Sequence, residues 1–204
     1  MAGVLLDIAD ARVELDRPPN AGALLVLTHG AGGGVDTADL LAIRDAAVAA
    51  GIAIARVLQP YRVAGRRTPP APTPQDAAWL PVVAALRRRR GFARVPLVVG
   101  GRSNGARVAC RTATASGAAA VVALAFPLHP PGRPEKSRLA ELDAAGCPTL
   151  VVQGDRDPFG MPPAGADREV LVVPGADHSL ARGLATTAAA VVAFVTSPVV
   201  RARV

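Results

Sequence analysis

Six short apolar runs, separated by longer alanine-rich segments, constrain the fold of this chain more than any other feature. They are "ALLVLTHG" (Ala23 to Gly30), "IAIARVL" (Ile52 to Leu58), "VPLVVGG" (Val95 to Gly101), "VVALAF" (Val121 to Phe126), "PTLVVQGD" (Pro148 to Asp155) and "EVLVVPGA" (Glu169 to Ala176). A strand that is apolar at nearly every position, rather than at every second one, must be covered on both faces, as parallel strands are. The segments between them predict helices near 37–50, 74–90, 103–116, 134–145 and 183–196. This alternation predicts a mostly parallel, doubly wound α/β sheet with helices on both faces. The opening segments "VLLDIA" and "ARVEL" predict an antiparallel hairpin at one sheet edge, within residues 1–20. A length of 204 residues suits one domain with its own core. "RTPPAPTP" (Arg67 to Pro74) reads as a surface loop and not a linker, because the alternation continues beyond it.

Charge and composition narrow the function. The net charge of +7 and "RRRR" at Arg87 to Arg90 invite a nucleic-acid reading. The run ends an amphipathic stretch before Gly91, where cations favour the negative end of the helix dipole, and no base-stacking aromatics accompany it. A solvated helix end is therefore expected, and no nucleic-acid partner. No apolar run approaches the ~18 residues of a membrane span, and the first residues lack the basic start of a secretory signal. Cys110 and Cys147 form neither a disulfide framework nor a zinc motif. The expectation is a cytoplasmic protein without metal, cofactor or membrane partner, of unknown oligomeric state.

In an open α/β sheet, ligands bind beyond the carboxyl ends of the strands, so what each strand delivers there is decisive. The first run ends in "THGAGGG" (Thr28 to Gly34). Val35 stands where a dinucleotide fingerprint needs its third small residue, and no P-loop pattern occurs anywhere. Two readings remain: a plain glycine turn, or a loop whose N–H groups face a developing negative charge, like the HG-type oxyanion loop of lipases and esterases. The third run ends in Gly101-Arg102-Ser103-Asn104-Gly105, a G-x-S-x-G pattern between an expected strand and an expected helix. There the serine would occupy a strained turn that exposes its hydroxyl at the sheet's edge.

A serine hydroxyl needs a base, and the base needs an orienting acid. His129 and His178 follow Ser103 in sequence. Only His178, in "VPGADHSL", follows the last expected strand, where this arrangement places its base. The acid is expected after "PTLVVQG", at Asp155 or Asp157. Asp157 is favoured, since Pro158 holds its backbone extended, while Asp155 suits a turn-capping role. Asp177, next to His178, is not expected to serve.

"THGAGG", "GGRSNGARVA", "LHPPGRPEK", "VQGDRDPFG" and "GADHSL" together resemble the small α/β-hydrolase-like family of testis-expressed protein 30. That family includes a domain of subunit 3 of the non-specific lethal chromatin complex and is related more distantly to the dienelactone hydrolases. The resemblance spans about Leu24 to Leu180 and also covers "QPYRVAGRRTPPAPTP". It implies a lidless α/β-hydrolase fold, with Ser103, Asp157 and His178 as the triad and the backbone N–H groups of Ala31 and Asn104 as oxyanion donors. Ala106 stands where family members often carry a second glycine.

The resulting expectation is a serine hydrolase that takes a small ester, thioester or lactone through an acyl-enzyme. The alternative is a hydrolase-fold binding module with little chemistry. Few residues separate Phe126 from Pro148, which leaves no room for a sizeable lid. Tyr61, His129 and Arg133 are candidates for the substrate rim, with simple packing as the competing role for each.

Overall fold

In the computed structural model, which describes residues 3–203, the chain builds one eight-stranded sheet. Its strands are β1 (Val4–Ile8), β2 (Ala11–Asp16), β3 (Leu24–Thr28), β4 (Ala53–Leu58), β5 (Leu97–Arg102), β6 (Ala120–Leu124), β7 (Thr149–Gly154) and β8 (Arg168–Val173). Their spatial order is β1-β2-β4-β3-β5-β6-β7-β8. β1 and β2 form the expected antiparallel hairpin at one edge, β2 joins β4 antiparallel, and every other pairing is parallel.

The helices are α1 (Ala38–Ala49), α2 (Pro60–Val63), α3 (Pro72–Arg87), α4 (Asn104–Ser116), α5 (Leu139–Asp143), α6 (Leu184–Val195) and α7 (Pro198–Arg201). Side chains alternate across the sheet and sort the core into two layers. Leu24 and Val26 of β3 face Trp79, Val83 and Leu86 of α3 and Ala109 and Ala113 of α4. Leu25 and Leu27 face Leu40 and Ile43 of α1 and Val191 and Val195 of α6. With both faces covered, β3 has no exposed position, which explains its unbroken apolar run.

Three element expectations are corrected. The segment expected to be helical over 134–145 is helical only at Leu139–Asp143. Before it, the Arg138 N–H donates to the Leu128 carbonyl and the Lys136 N–H to the Arg133 carbonyl, so the backbone is committed to turns folded onto the loop after β6. The helix expected to reach Arg90 ends at Arg87, and Arg88 to Arg90 are exposed beyond it. Its start lies inside the proline-rich segment, where Pro72 opens the first turn and its missing N–H costs nothing. α2 and α7 are single turns, too short to leave a periodic signal.

Candidate active site

The carboxyl end of β5 turns sharply into α4, and Ser103 makes the turn at φ 53° and ψ −112°. For a residue with a Cβ this conformation costs about 1–3 kcal/mol and needs surroundings that impose it. The Ser103 N–H donates to the Leu124 carbonyl of the neighbouring strand at 2.8 Å. The flanking glycines let the turn press against the end of β3. A methyl group at Gly101 would lie 2.6 Å from the Thr28 carbonyl oxygen, and one at Gly105 would lie 2.7 Å from it.

Ser103 Oγ and His178 Nε2 are 2.8 Å apart, and His178 Nδ1 lies 2.8 Å from Asp157 Oδ2. A carboxylate beside Nδ1 holds the proton there, which leaves Nε2 to accept the serine hydrogen. The Asp157 carboxylate is wholly buried and well supplied with donors. Gln153 Nε2 donates to Oδ2 at 2.8 Å, and the Phe159 N–H donates to Oδ1 at 2.9 Å. The Phe159 ring packs against the imidazole of His178 with centroids 4.1 Å apart. Asp155 is occupied elsewhere, accepting the Gly175 N–H at 2.7 Å, and Asp177 accepts the N–H and hydroxyl of Ser179. The structure thus brings Ser103, His178 and Asp157 together, and neither Asp155 nor Asp177 contacts the imidazole nitrogens.

The loop after β3 is held from beneath by a buried polar network. His29 is fully buried. Its Nδ1–H donates to the Gly30 carbonyl at 2.7 Å, and its Nε2 accepts the Gln59 N–H at 3.0 Å. Burial pushes its pKa down to about 4, so the ring is neutral near neutrality. Gln75 Nε2 donates to Gln59 Oε1, Gln59 Nε2 to Thr28 Oγ1, and the Thr28 hydroxyl to the Val57 carbonyl. From above, the Tyr61 hydroxyl donates to the Ala31 carbonyl at 2.6 Å, and burial raises the phenol to about 12. Arg62 Nε donates to the Gly33 carbonyl at 2.9 Å. With these carbonyls held, the Ala31 and Asn104 N–H groups donate to no other group among the described residues. Asn104 opens α4, so its N–H also sits at the positive end of a 13-residue helix.

Of the rim candidates, Tyr61 is a buried strut of the β3 loop. His129 rests beside the acid turn, its N–H on the Phe159 carbonyl and its Nδ1 on the Pro130 carbonyl, against a face of Gly160 that has no room for a side chain. Arg133 is exposed, and its guanidinium makes no hydrogen bond or ion pair among the described residues. Gln153, Phe159 and Arg102 escaped sequence reading. Gln153, a lone amide in an apolar strand, is the one of these that carried a legible signal. Cys110, at the back of α4, is buried and a free thiol, and burial raises its pKa.

A cavity of about 490 Å³ lies at the amino ends of β7 and β8 against α6, away from Ser103. Among the described residues no cluster of three or more His, Cys, Asp or Glu is arranged to hold a metal ion, and no helix is long and apolar enough to cross a membrane.

A family model described as an alpha/beta hydrolase domain matches residues 21–191. Among solved structures, the chain is similar to a dienelactone hydrolase from Anabaena variabilis, with a TM-score of 0.74 at 16% identity over 95% of each chain. It is similar to Est1E from Butyrivibrio proteoclasticus, with a TM-score of 0.72 at 17% identity over 95% of this chain and 97% of that one. It is also similar to XC6422 from Xanthomonas campestris, described as an α/β serine hydrolase without a lid. That match has a TM-score of 0.71 at 20% identity over 95% of this chain and 92% of that one. At these identities the likeness shows the fold. No curated protein matches the chain.

Proposed function

We propose, because this chain belongs to the alpha/beta hydrolase domain family, that it is a serine hydrolase with Ser103 as nucleophile, His178 as base and Asp157 as orienting acid. The observation that carries this reading is the unbroken pair of 2.8 Å hydrogen bonds from Ser103 Oγ through the imidazole to a buried carboxylate. His178 Nε2 takes the hydroxyl proton as Oγ attacks a substrate carbonyl, and Asp157 steadies the imidazolium that results. The N–H groups of Ala31 and Asn104 receive the oxyanion, a donor worth about 3–4 kcal/mol in the transition state. His178 then protonates the leaving group, and water repeats the cycle to release the acid. A serine at the elbow, where epoxide and haloalkane chemistry would use a carboxylate, supports acyl transfer.

The substrate class is a small ester, thioester or lactone. This reading is supported by the short connection between β6 and β7, which carries only loop and the five-residue α5 and leaves no room there for a sizeable lid. The finer kinship, to the group of testis-expressed protein 30, rests on the quoted segments and above all on "LHPPGRPEK". A cytoplasmic location is part of the same reading, in keeping with two buried free thiols. So is the lack of a nucleic-acid partner, since Arg88 to Arg90 are solvated just beyond the end of α3 and no base-stacking aromatics accompany them in sequence.

Turnover of 4-nitrophenyl acetate tests the assignment. Ser103→Ala is expected to lower kcat by about 1,000-fold or more, and Asp157→Asn by about 100-fold or more. Asp155→Asn is expected to stay within about threefold of wild type, since its carboxylate accepts the Gly175 N–H and does not bond the imidazole. Loss of turnover in Asp155→Asn with retention in Asp157→Asn would overturn the acid assignment.

A further inference from the structure

Arg102 is the residue immediately before the nucleophile, and its side chain joins the His178 loop to the first turn of α1. In sheet register it lies opposite Leu124, so it leaves the sheet on the α1 and α6 face. There Nη2 donates to the His178 carbonyl at 2.9 Å. Its Nε lies 3.3 Å from Asp39 Oδ2, in the first turn of α1. Gly30 leaves space beside Nη1, where a methyl group at that position would come within 3.4 Å.

The pair is unusual in its isolation. Asp39 is 2% exposed, neither of its carboxylate oxygens has a hydrogen-bond partner, and Arg102 Nε has none either. An ionised carboxylate buried without a partner is strongly unfavourable, so the guanidinium is its counter-charge. The planar fork of arginine presents separate nitrogens in fixed directions, and so meets a carboxylate and a carbonyl at once. Charge neutralisation alone does not require the second contact. The carbonyl that receives it belongs to the residue whose imidazole faces Ser103.

We propose that Asp39 and Arg102 form a clamp that positions His178 for proton transfer, with Arg102 as a positioning residue and Asp39 as its anchor. The proposal rests on the reading of His178 as base. α1 is packed in the core through Leu40 and Ile43, so Asp39 is a fixed point. Before His178 the loop is tied to the turn after β7, with the Arg156 N–H on the Ala176 carbonyl and the Gly175 N–H on Asp155 Oδ1. After His178 the backbone bonds are local, from Leu180 N–H to the Asp177 carbonyl and from Ser179 to the Asp177 carboxylate. The clamp adds a tether on the backbone of His178 itself, from a residue 76 positions away in sequence. Without it the imidazole keeps its chemistry and loses its register with Ser103 Oγ, and a misplacement of about 1 Å costs about 100-fold in rate.

Arg102→Met tests this together with the double variant Arg102→Met/Asp39→Leu, which removes the stranded carboxylate as well. In Arg102→Met, kcat on 4-nitrophenyl acetate is expected to fall at least about tenfold with KM within about twofold, and the unfolding midpoint to drop. In the double variant the midpoint is expected to recover while kcat stays low. Hydrogen exchange supplies a readout that needs no activity: amides of residues 177–181 are expected to exchange at least about tenfold faster in the double variant, with β7 unchanged. Return of kcat to the wild-type value in the double variant, or unchanged exchange of that loop, would overturn the clamp. Absence of Ser103-dependent turnover in the wild type would instead sink the hydrolase reading, and the exchange measurement would still decide the clamp.

Discussion

At Ser103 and His29 single side chains carry opposite strategies for holding a loop still. Ser103 is kept in a left-handed conformation by neighbours that leave it no alternative, with its N–H on β6 and two glycines pressed against β3. His29 is kept neutral and buried, with both ring nitrogens engaged by backbone. The second strategy has a pH signature. The folded ring protonates only near pH 4, whereas in the unfolded chain it does so near its ordinary 6.5. Between those values the unfolded state binds the extra proton, so His29 costs nothing above about pH 6.5 and destabilises the fold as pH falls toward 4. At about pH 4.5 the loss is about 2 kcal/mol relative to neutrality. Urea unfolding of wild type and His29→Gln across this range checks it: the difference between the two should shrink on acidification. A constant difference would mean that the folded ring protonates normally.

Among the elements, β7 and the loop after β8 are joined as closely as the elbow and β3. A methyl group at Gly154 would collide with the Ala176 carbonyl oxygen and lie 3.0 Å from that of Asp177. The strand that leads to Asp157 therefore touches the loop that carries His178, one residue before it. Gly154→Ala is expected to destabilise the fold by about 1–3 kcal/mol and to lower kcat, because the loop must move away to make room. Wild-type activity with lowered stability would show that the loop relaxes without displacing the imidazole. On the opposite face, α4 is tied to α3 and α5 by Arg111 to Asp76 and by Arg107 and Arg111 to Glu141. Burial pushes the Glu141 carboxyl up, but the two guanidiniums outweigh it and hold the group below the usual carboxylate range. The helix behind the elbow is thereby braced from both sides.

Across the whole molecule, the sequence was legible where local chemistry and strand ends coincide. Parallel strands buried on both faces write unbroken apolar runs, and the residues after each run are forced to the same edge of the sheet. That is why Ser103, Asp157 and His178 stand out in separate segments and lie in one hydrogen-bonded row. Of the supports of that row only Gln153 leaves a local signal, as a lone amide in an apolar strand, and its partner is not legible. Gln153 reaches Asp157 because of the turn that follows β7, and Arg102 reaches Asp39 and His178 only because α1 and α6 share a sheet face. Such contacts depend on three-dimensional register that no local pattern records. The loop between Pro134 and Arg138 departs from the expected helix for a related reason, since its N–H groups are taken up by turns and by the loop after β6. The account as a whole stands on the nucleophile. Labelling the folded protein with a fluorophosphonate probe, read by intact mass, measures it most directly. A single adduct on the wild type and none on Ser103→Ala is the predicted result, and an unmodified wild type, or an adduct that survives Ser103→Ala, would contradict it.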